Sequence, residues 1–130
     1  MTNIFNNLHC GCNEVSIDNN FKIDIGSTFN LDVIVYENND LINRYDLTGI
    51  LALGFVAKDD PFNPVYIISK SIGSGVTIID AAQGFARVFL DSTDTAILGQ
   101  FGGIMYFDVT LIDPLSASFV VSTGHIHLVP

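Results

Sequence analysis

Positive charge is scarce in this chain: Lys22, Arg44, Lys58, Lys70 and Arg87 are its only Lys and Arg residues, against 14 acidic ones, for a formal net charge of −9. A protein that neutralises several phosphates needs a Lys/Arg surface, and five scattered cations do not make one, so nucleic acid is not an expected partner. Cysteine is rarer still. Both copies sit in His9-Cys10-Gly11-Cys12, where one intervening residue is too short a span for an unstrained disulfide. That placement also excludes the widely separated inter-sheet bridge of antibody domains, and free thiols fit a reducing compartment.

Long apolar runs are missing too. The chain is 48% apolar and its mean hydropathy is +0.43, yet its longest apolar stretches fall far short of the roughly 18 to 20 residues of a spanning helix. No membrane association is expected. The opening Met1-Thr2-Asn3-Ile4-Phe5-Asn6-Asn7 lacks the basic start and apolar core of a secretory signal, so export by that route has no support. Amphipathic helical stretches of the length needed for crossovers between parallel strands are absent as well, which disfavours an α/β fold.

What the sequence does contain is strand periodicity. Phe21-Lys22-Ile23-Asp24-Ile25 alternates apolar and polar residues, and Phe29-Asn30-Leu31-Asp32-Val33 repeats the pattern after Gly26-Ser27-Thr28. These are two half-buried strands, or one strand bent at Gly26. Residues 50–58 are more continuously apolar, as for a central strand covered on both sides. Further strands are expected at 65–68, 76–79, 85–90, 104–112 and 119–121, with 125–129 as a last one. Turn residues punctuate them at Asn38-Asn39-Asp40, Asp59-Asp60-Pro61, Gly73-Ser74-Gly75, residues 80–84, Gly102-Gly103 and Asp113-Pro114, and this regular spacing marks a sandwich or barrel. One short helical turn is expected over residues 92–99, capped by Ser92 or Thr93, with Asp94 at its positive end and Gly99 ending it. Asp46 is placed to accept a backbone N–H and close the Leu47-Thr48-Gly49 turn, Gly49 taking positive φ.

Four segments, in order, resemble the N-terminal immunoglobulin-like domain of bacteriophage baseplate and tail proteins. They are Ile23-Asp24-Ile25-Gly26-Ser27-Thr28-Phe29-Asn30-Leu31; Asp46-Leu47-Thr48-Gly49; Gly75-Val76-Thr77-Ile78-Ile79-Asp80 with Gly84-Phe85-Ala86-Arg87-Val88 and Asp94-Thr95-Ala96; and Tyr106-Phe107-Asp108-Val109-Thr110-Leu111-Ile112-Asp113-Pro114, closing with Gly124. The pattern departs from that family at Lys58, where an Arg is usual, and at Asp113-Pro114-Leu115-Ser116, which lacks the usual turn Gly. The resemblance implies an all-β, immunoglobulin-like antiparallel sandwich of about seven to nine strands over residues 21–130, with residues 1–20 as an N-terminal arm or first edge strand. It further implies a structural, non-enzymatic virion protein of the baseplate, tail or head surface, assembled in the host bacterial cytoplasm. Its partners would be other virion structural proteins and further copies of itself. The alternative is a module on a fibre or cell surface that recognises carbohydrate or a host receptor.

Individual residues add candidates. Cys10, Cys12, His125 and His127 have ligand types that suit zinc, and each pair shares one strand face. They would meet if the N-terminal segment pairs with the last strand; otherwise the histidines are ordinary outward residues beside inward Ile126 and Leu128. Structural zinc pairs are usually spaced more widely, so no metal or other cofactor is expected. Asp59 with Asp60 and Asp91 with Asp94 are the only dense acid groups, without the spacing or Gly of a calcium loop. Cys10 beside His9 lacks a third orienting group for nucleophilic catalysis, and no carboxylate pair for glycoside cleavage stands out; no enzymatic activity is expected. Phe5, Phe62, Tyr66 and Phe101 fall in loops or strand ends, where exposed aromatics suit protein contacts.

Overall fold

The computed structural model describes residues 18–37, 42–62 and 64–130. The expected arm over residues 1–20 thus lies mostly outside the described residues, as do Cys10, Cys12, Phe5 and the turn at Asn38-Asn39-Asp40. The described chain is all-β, with eight strands, one α-helix and one 3-10 turn. The strands are β1 (Asp18–Asp24), β2 (Phe29–Ile34), β3 (Ala52–Lys58), β4 (Ile68–Ile72), β5 (Gly75–Asp80), β6 (Phe85–Leu90), β7 (Ile104–Ile112) and β8 (Ser118–Val129), and helix α1 (Ser92–Gly99) follows β6.

Hydrogen bonding runs through all eight strands in the order β1-β8-β7-β3-β4-β5-β6-β2. The sheet curls until its two ends meet: Phe21 on β1 and Phe29 on β2, at opposite ends of that order, bring their rings within 5.6 Å. Alternation decides which side faces in. On β3 and β7 every second residue is buried (Leu53, Phe55, Ala57; Met105, Phe107, Val109, Leu111), and these meet Leu31, Val33, Val76, Ala86, Val88 and Leu90 from the other half in one core. Phe107 sits at its centre, stacked on Phe55 at 5.6 Å and beside Phe21 at 5.8 Å. The outward positions of β3 are half-buried rather than fully buried among the described residues. Its small outward residues, Ala52 and Gly54, produced the continuous apolar reading.

Most neighbouring strands are antiparallel, as expected, but two pairs are parallel. β1 lies along β8, from Asp18 opposite Thr123 to Asp24 opposite Val129. β4 and β5 touch at Ser71–Gly75 and Ile72–Val76, where residues 73–74 form a loop that offsets the chain without reversing it. Two other expectations shift. The strand foreseen at 65–68 begins only at Ile68, because Asp60-Pro61 and Pro64 keep the preceding segment out of the ladder. The strands foreseen at 119–121 and 125–129 are one, β8, whose register with β7 slips between Val109 and Thr110 and continues through Gly124.

Turns follow local chemistry. Asp46 Oδ1 accepts the Thr48 N–H at 2.8 Å and Gly49 takes φ +80° before β3. The helix cap is Asp91, not Ser92 or Thr93: its carboxylate accepts the Asp94 N–H while Asp94 accepts the Asp91 N–H, a reciprocal capping box. The helix closes at Gln100 in a right-handed conformation, so Gly99 is not needed as a left-handed stop. A Cβ there would lie 2.7 Å from Ile25 Cδ1, the tip of a partly exposed side chain that would have to shift.

Candidate functional site

One end of the molecule gathers the β1–β2 turn, the β3–β4 loop, α1 and the loop before β7. The register requires this: β3 ends and β7 begins at the same level, with Lys58 opposite Tyr106, while Ile25 donates its N–H to Val129 and Leu128 donates to Gly103. The three described aromatic candidates, Phe62, Tyr66 and Phe101, lie in these connections and are 92%, 53% and 52% exposed. None of them folds back into the core.

Beside that end, the outer face of β7 and β8 carries a shallow, open depression of about 310 Å³ lined by Pro61, Tyr106, Phe107, Asp108, Thr123, Gly124 and His125. Its floor is built by register. Tyr106 and Asp108 are consecutive outward positions of β7, and they pair with His125 and Thr123 of β8. Pro61 reaches over from the β3–β4 loop, which Asp60 tightens by accepting the Phe62 N–H at 2.9 Å. The His125 ring meets Tyr106 edge to face at 5.0 Å, and its Nδ1 lies 2.8 Å from Asn20 Oδ1 on β1. Lys58 Nζ is 3.4 Å from Asp108 Oδ2. Next along the same face stand Ile104 and His127, paired with each other.

The N-terminal segment does pair with the last strand, from Asp18 onward. His125 and His127 face outward from β8 beside buried Ile126 and Leu128. The cysteine half of the metal candidate lies outside the described residues, and among the described residues no three His, Cys, Asp or Glu side chains gather as a metal would require.

The acid pairs are engaged otherwise. Asp91 and Asp94 are bound into the helix cap, and Asp94 also holds Lys70 at 2.8 Å in a mostly buried ion pair. The hydrogen bond from the Asp94 backbone is the chief reason that the Asp91 carboxyl lies below its usual range. Thr48 does the same for Asp46 through its side chain and backbone. Asp59 and Asp60 are exposed in the β3–β4 loop, where Asp60 accepts the Phe62 N–H.

The sequence showed Tyr106 and Asp108 on one face of a strand, but not what lay beside them. The β7–β8 register, which brings in His125 and Thr123, follows from long-range pairing and left no local signal.

Among the described residues no helix is long and apolar enough to cross a membrane. No family model matches the chain, and no curated protein matches it either. Among solved structures it is similar to the N-terminal domain of phage TP901-1 ORF48, with a TM-score of 0.53 and 16% identity, covering 97% of this chain and 97% of that one. At that identity the likeness is one of fold, and it extends over nearly the full length of both chains.

Proposed function

We propose that this chain is a structural, non-enzymatic module of a bacteriophage particle, of the immunoglobulin-like kind found in baseplates and tails, which binds neighbouring virion subunits. The observation that carries the reading is the end-to-end likeness to a phage domain, which agrees with the ordered motifs from residue 23 to Gly124. An acidic chain whose aromatic side chains project from connecting loops has the surface of a protein–protein contact rather than of a nucleic-acid binder. In this reading the protein is built into the particle in the host cytoplasm, in several copies around a symmetric position. In this reading the N-terminal arm over residues 1–20, mostly outside the described residues, adds contacts to a neighbour by strand addition.

Mass spectrometry of gradient-purified particles tests this. The expected result is the chain at a fixed ratio to the major structural subunits, and its absence from the particles would overturn the reading. Deleting residues 1–12 is expected to leave a folded domain with weakened incorporation; full incorporation of the truncated chain removes the arm from the account. A second reading, recognition of carbohydrate or a host receptor, draws on the same exposed Phe62, Tyr66 and Phe101, whose rings can stack on sugars. Reproducible binding on a glycan array would favour it over scaffolding.

A further inference from the structure

The depression on β7 and β8 is lined mainly by rings and small residues. Pro61, Tyr106 and Phe107 give it apolar surface, Gly124 adds no side chain, and the His125 ring stands at one side, held by Asn20. Its one carboxylate, Asp108, already has a partner in Lys58 at 3.4 Å. Exposed Lys22 stands further along, opposite His127. The site therefore calls for no charge of either sign. An uncharged apolar side chain suits it, since it takes Pro61 and Tyr106 out of water without stripping a charge of its own.

Register shows which segment is at hand. β1 begins at Asp18, which pairs with Thr123, and Asn20 pairs with His125, so the chain enters the sheet one strand away from two residues of the lining; adjacent strands lie about 4.8 Å apart. Residues 1–17 precede that point. They hold no Lys or Arg and one acid, Glu14, and Ile4-Phe5, between Asn3 and Asn6, is their only adjacent pair of large apolar residues. The segment from Phe5 to Asp18 spans roughly 40 Å when extended, several times what a return to the depression needs, and it contains Gly11 for the reversal. A second copy is the weaker occupant. Lys22 offers it one favourable contact, but it brings a net charge of −9 to a chain of the same charge, whereas the tethered segment is present at high effective concentration.

We propose that in the free chain the N-terminal segment folds back on its own domain and seats Phe5 in the depression, against Pro61 and Tyr106. This goes beyond the assembly reading: the arm assigned there to a neighbour is stored on its own domain beforehand. The depression is shallow and open, so the contact is reversible and the arm stays available for exchange.

The two cysteines, both in the arm, supply the test. A nitroxide is attached to Cys10 in the isotope-labelled full chain carrying Cys12→Ser, and the broadening of each backbone amide is read by NMR. The expected result is strong broadening at Tyr106, Thr123 and His125, and little on the outward residues of β2 and β6. Phe5→Ser is expected to remove most of that broadening while the amide spectrum of the core strands stays unchanged, which shows that the domain is still folded. An isotope-labelled chain without nitroxide, mixed with an unlabelled chain that carries it, is expected to show no broadening. Uniform or absent broadening, broadening centred on another surface, or broadening that survives Phe5→Ser would overturn the proposal. So would broadening in the mixed sample, which marks the arm of a second copy. Failure here, with the chain still present in purified particles, removes the stored arm and leaves the assembly reading standing; absence from particles removes the assembly reading and leaves this contact to its own test.

Discussion

Thr95 joins the helix to the first turn. Fully buried, its hydroxyl accepts the Gly26 N–H at 3.0 Å and donates to the Ser27 carbonyl at 2.7 Å, satisfying two turn groups with one side chain. Thr95→Val keeps the shape and orphans both, so urea unfolding is expected to show a loss of about 1–3 kcal/mol, with Thr95→Ser close to wild type. At the β7–β8 hairpin the missing turn glycine has a physical consequence: Ser116 adopts φ 70°, the one positive φ outside glycine among the described residues. Asp113 holds that turn by accepting the Leu115 and Ala117 N–H groups. Ser116→Gly is expected to raise stability by about 1 kcal/mol, the left-handed penalty relieved; an unchanged or lower urea midpoint would show that the turn carries no such strain. Asp91 and Asp46 set the acid limb. Both carboxyls titrate below their ordinary value in the folded chain, so their stabilisation is complete above the unfolded pKa of about 3.9 and is lost as pH falls through the lower folded values. Asp91→Asn, which keeps a capping oxygen but cannot titrate, is expected to flatten the fall in urea midpoint below about pH 4. Several of these contacts were readable in the sequence: Asp46 with Gly49, and the odd turn at Ser116. The Asp91 cap was not, since Ser92, Thr93 and Asp91 are all competent caps and only the start of the helical backbone decides among them.

At the scale of elements, periodicity placed β1, β2, β5, β6, β7 and α1 with little error, because each has one buried face and sharp turn chemistry at its ends. It failed where tertiary pairing overrides local pattern. Val65 and Tyr66 have the composition of strand residues but hang exposed in the β3–β4 loop, and the bulge in β8 disguised one long strand as two. The 3-10 turn Ala81–Gln83 makes a sharper demand: Gly84 takes φ 66°, and a Cβ there would lie 2.6 Å from the Val35 carbonyl oxygen and 2.7 Å from that of Tyr45. Its backbone also receives the Val35 N–H. Gly84→Ala is expected to cost more than Gly26→Ala, which takes a similar φ in open space, for which the left-handed penalty is about 1 kcal/mol. Equal losses in urea unfolding would mean that residues 35 and 45 yield without cost.

Across the whole molecule, composition and alternation were enough for an all-β chain folded around one core, but not for its topology. Nothing local in residues 18–24 says that they lie parallel to residues 123–129, or that β1 and β2, neighbours in sequence, stand at opposite ends of the hydrogen-bonded order. The closure of that order depends on the aromatic contact of Phe21, Phe29, Phe55 and Phe107. Phe107→Ala is expected to cost about 3–5 kcal/mol in urea unfolding; a loss below that range would show that the core collapses onto the cavity. The depression was illegible for the same reason as the topology, since its floor comes from two strands and its wall from a third connection. The proposal that this fold serves a phage particle is open to a direct check by image averaging of particles with and without the chain. The expected result is difference density of one small β domain at symmetry-related positions wedged between other subunits. Particles of identical density, assembled normally without the chain, would contradict it.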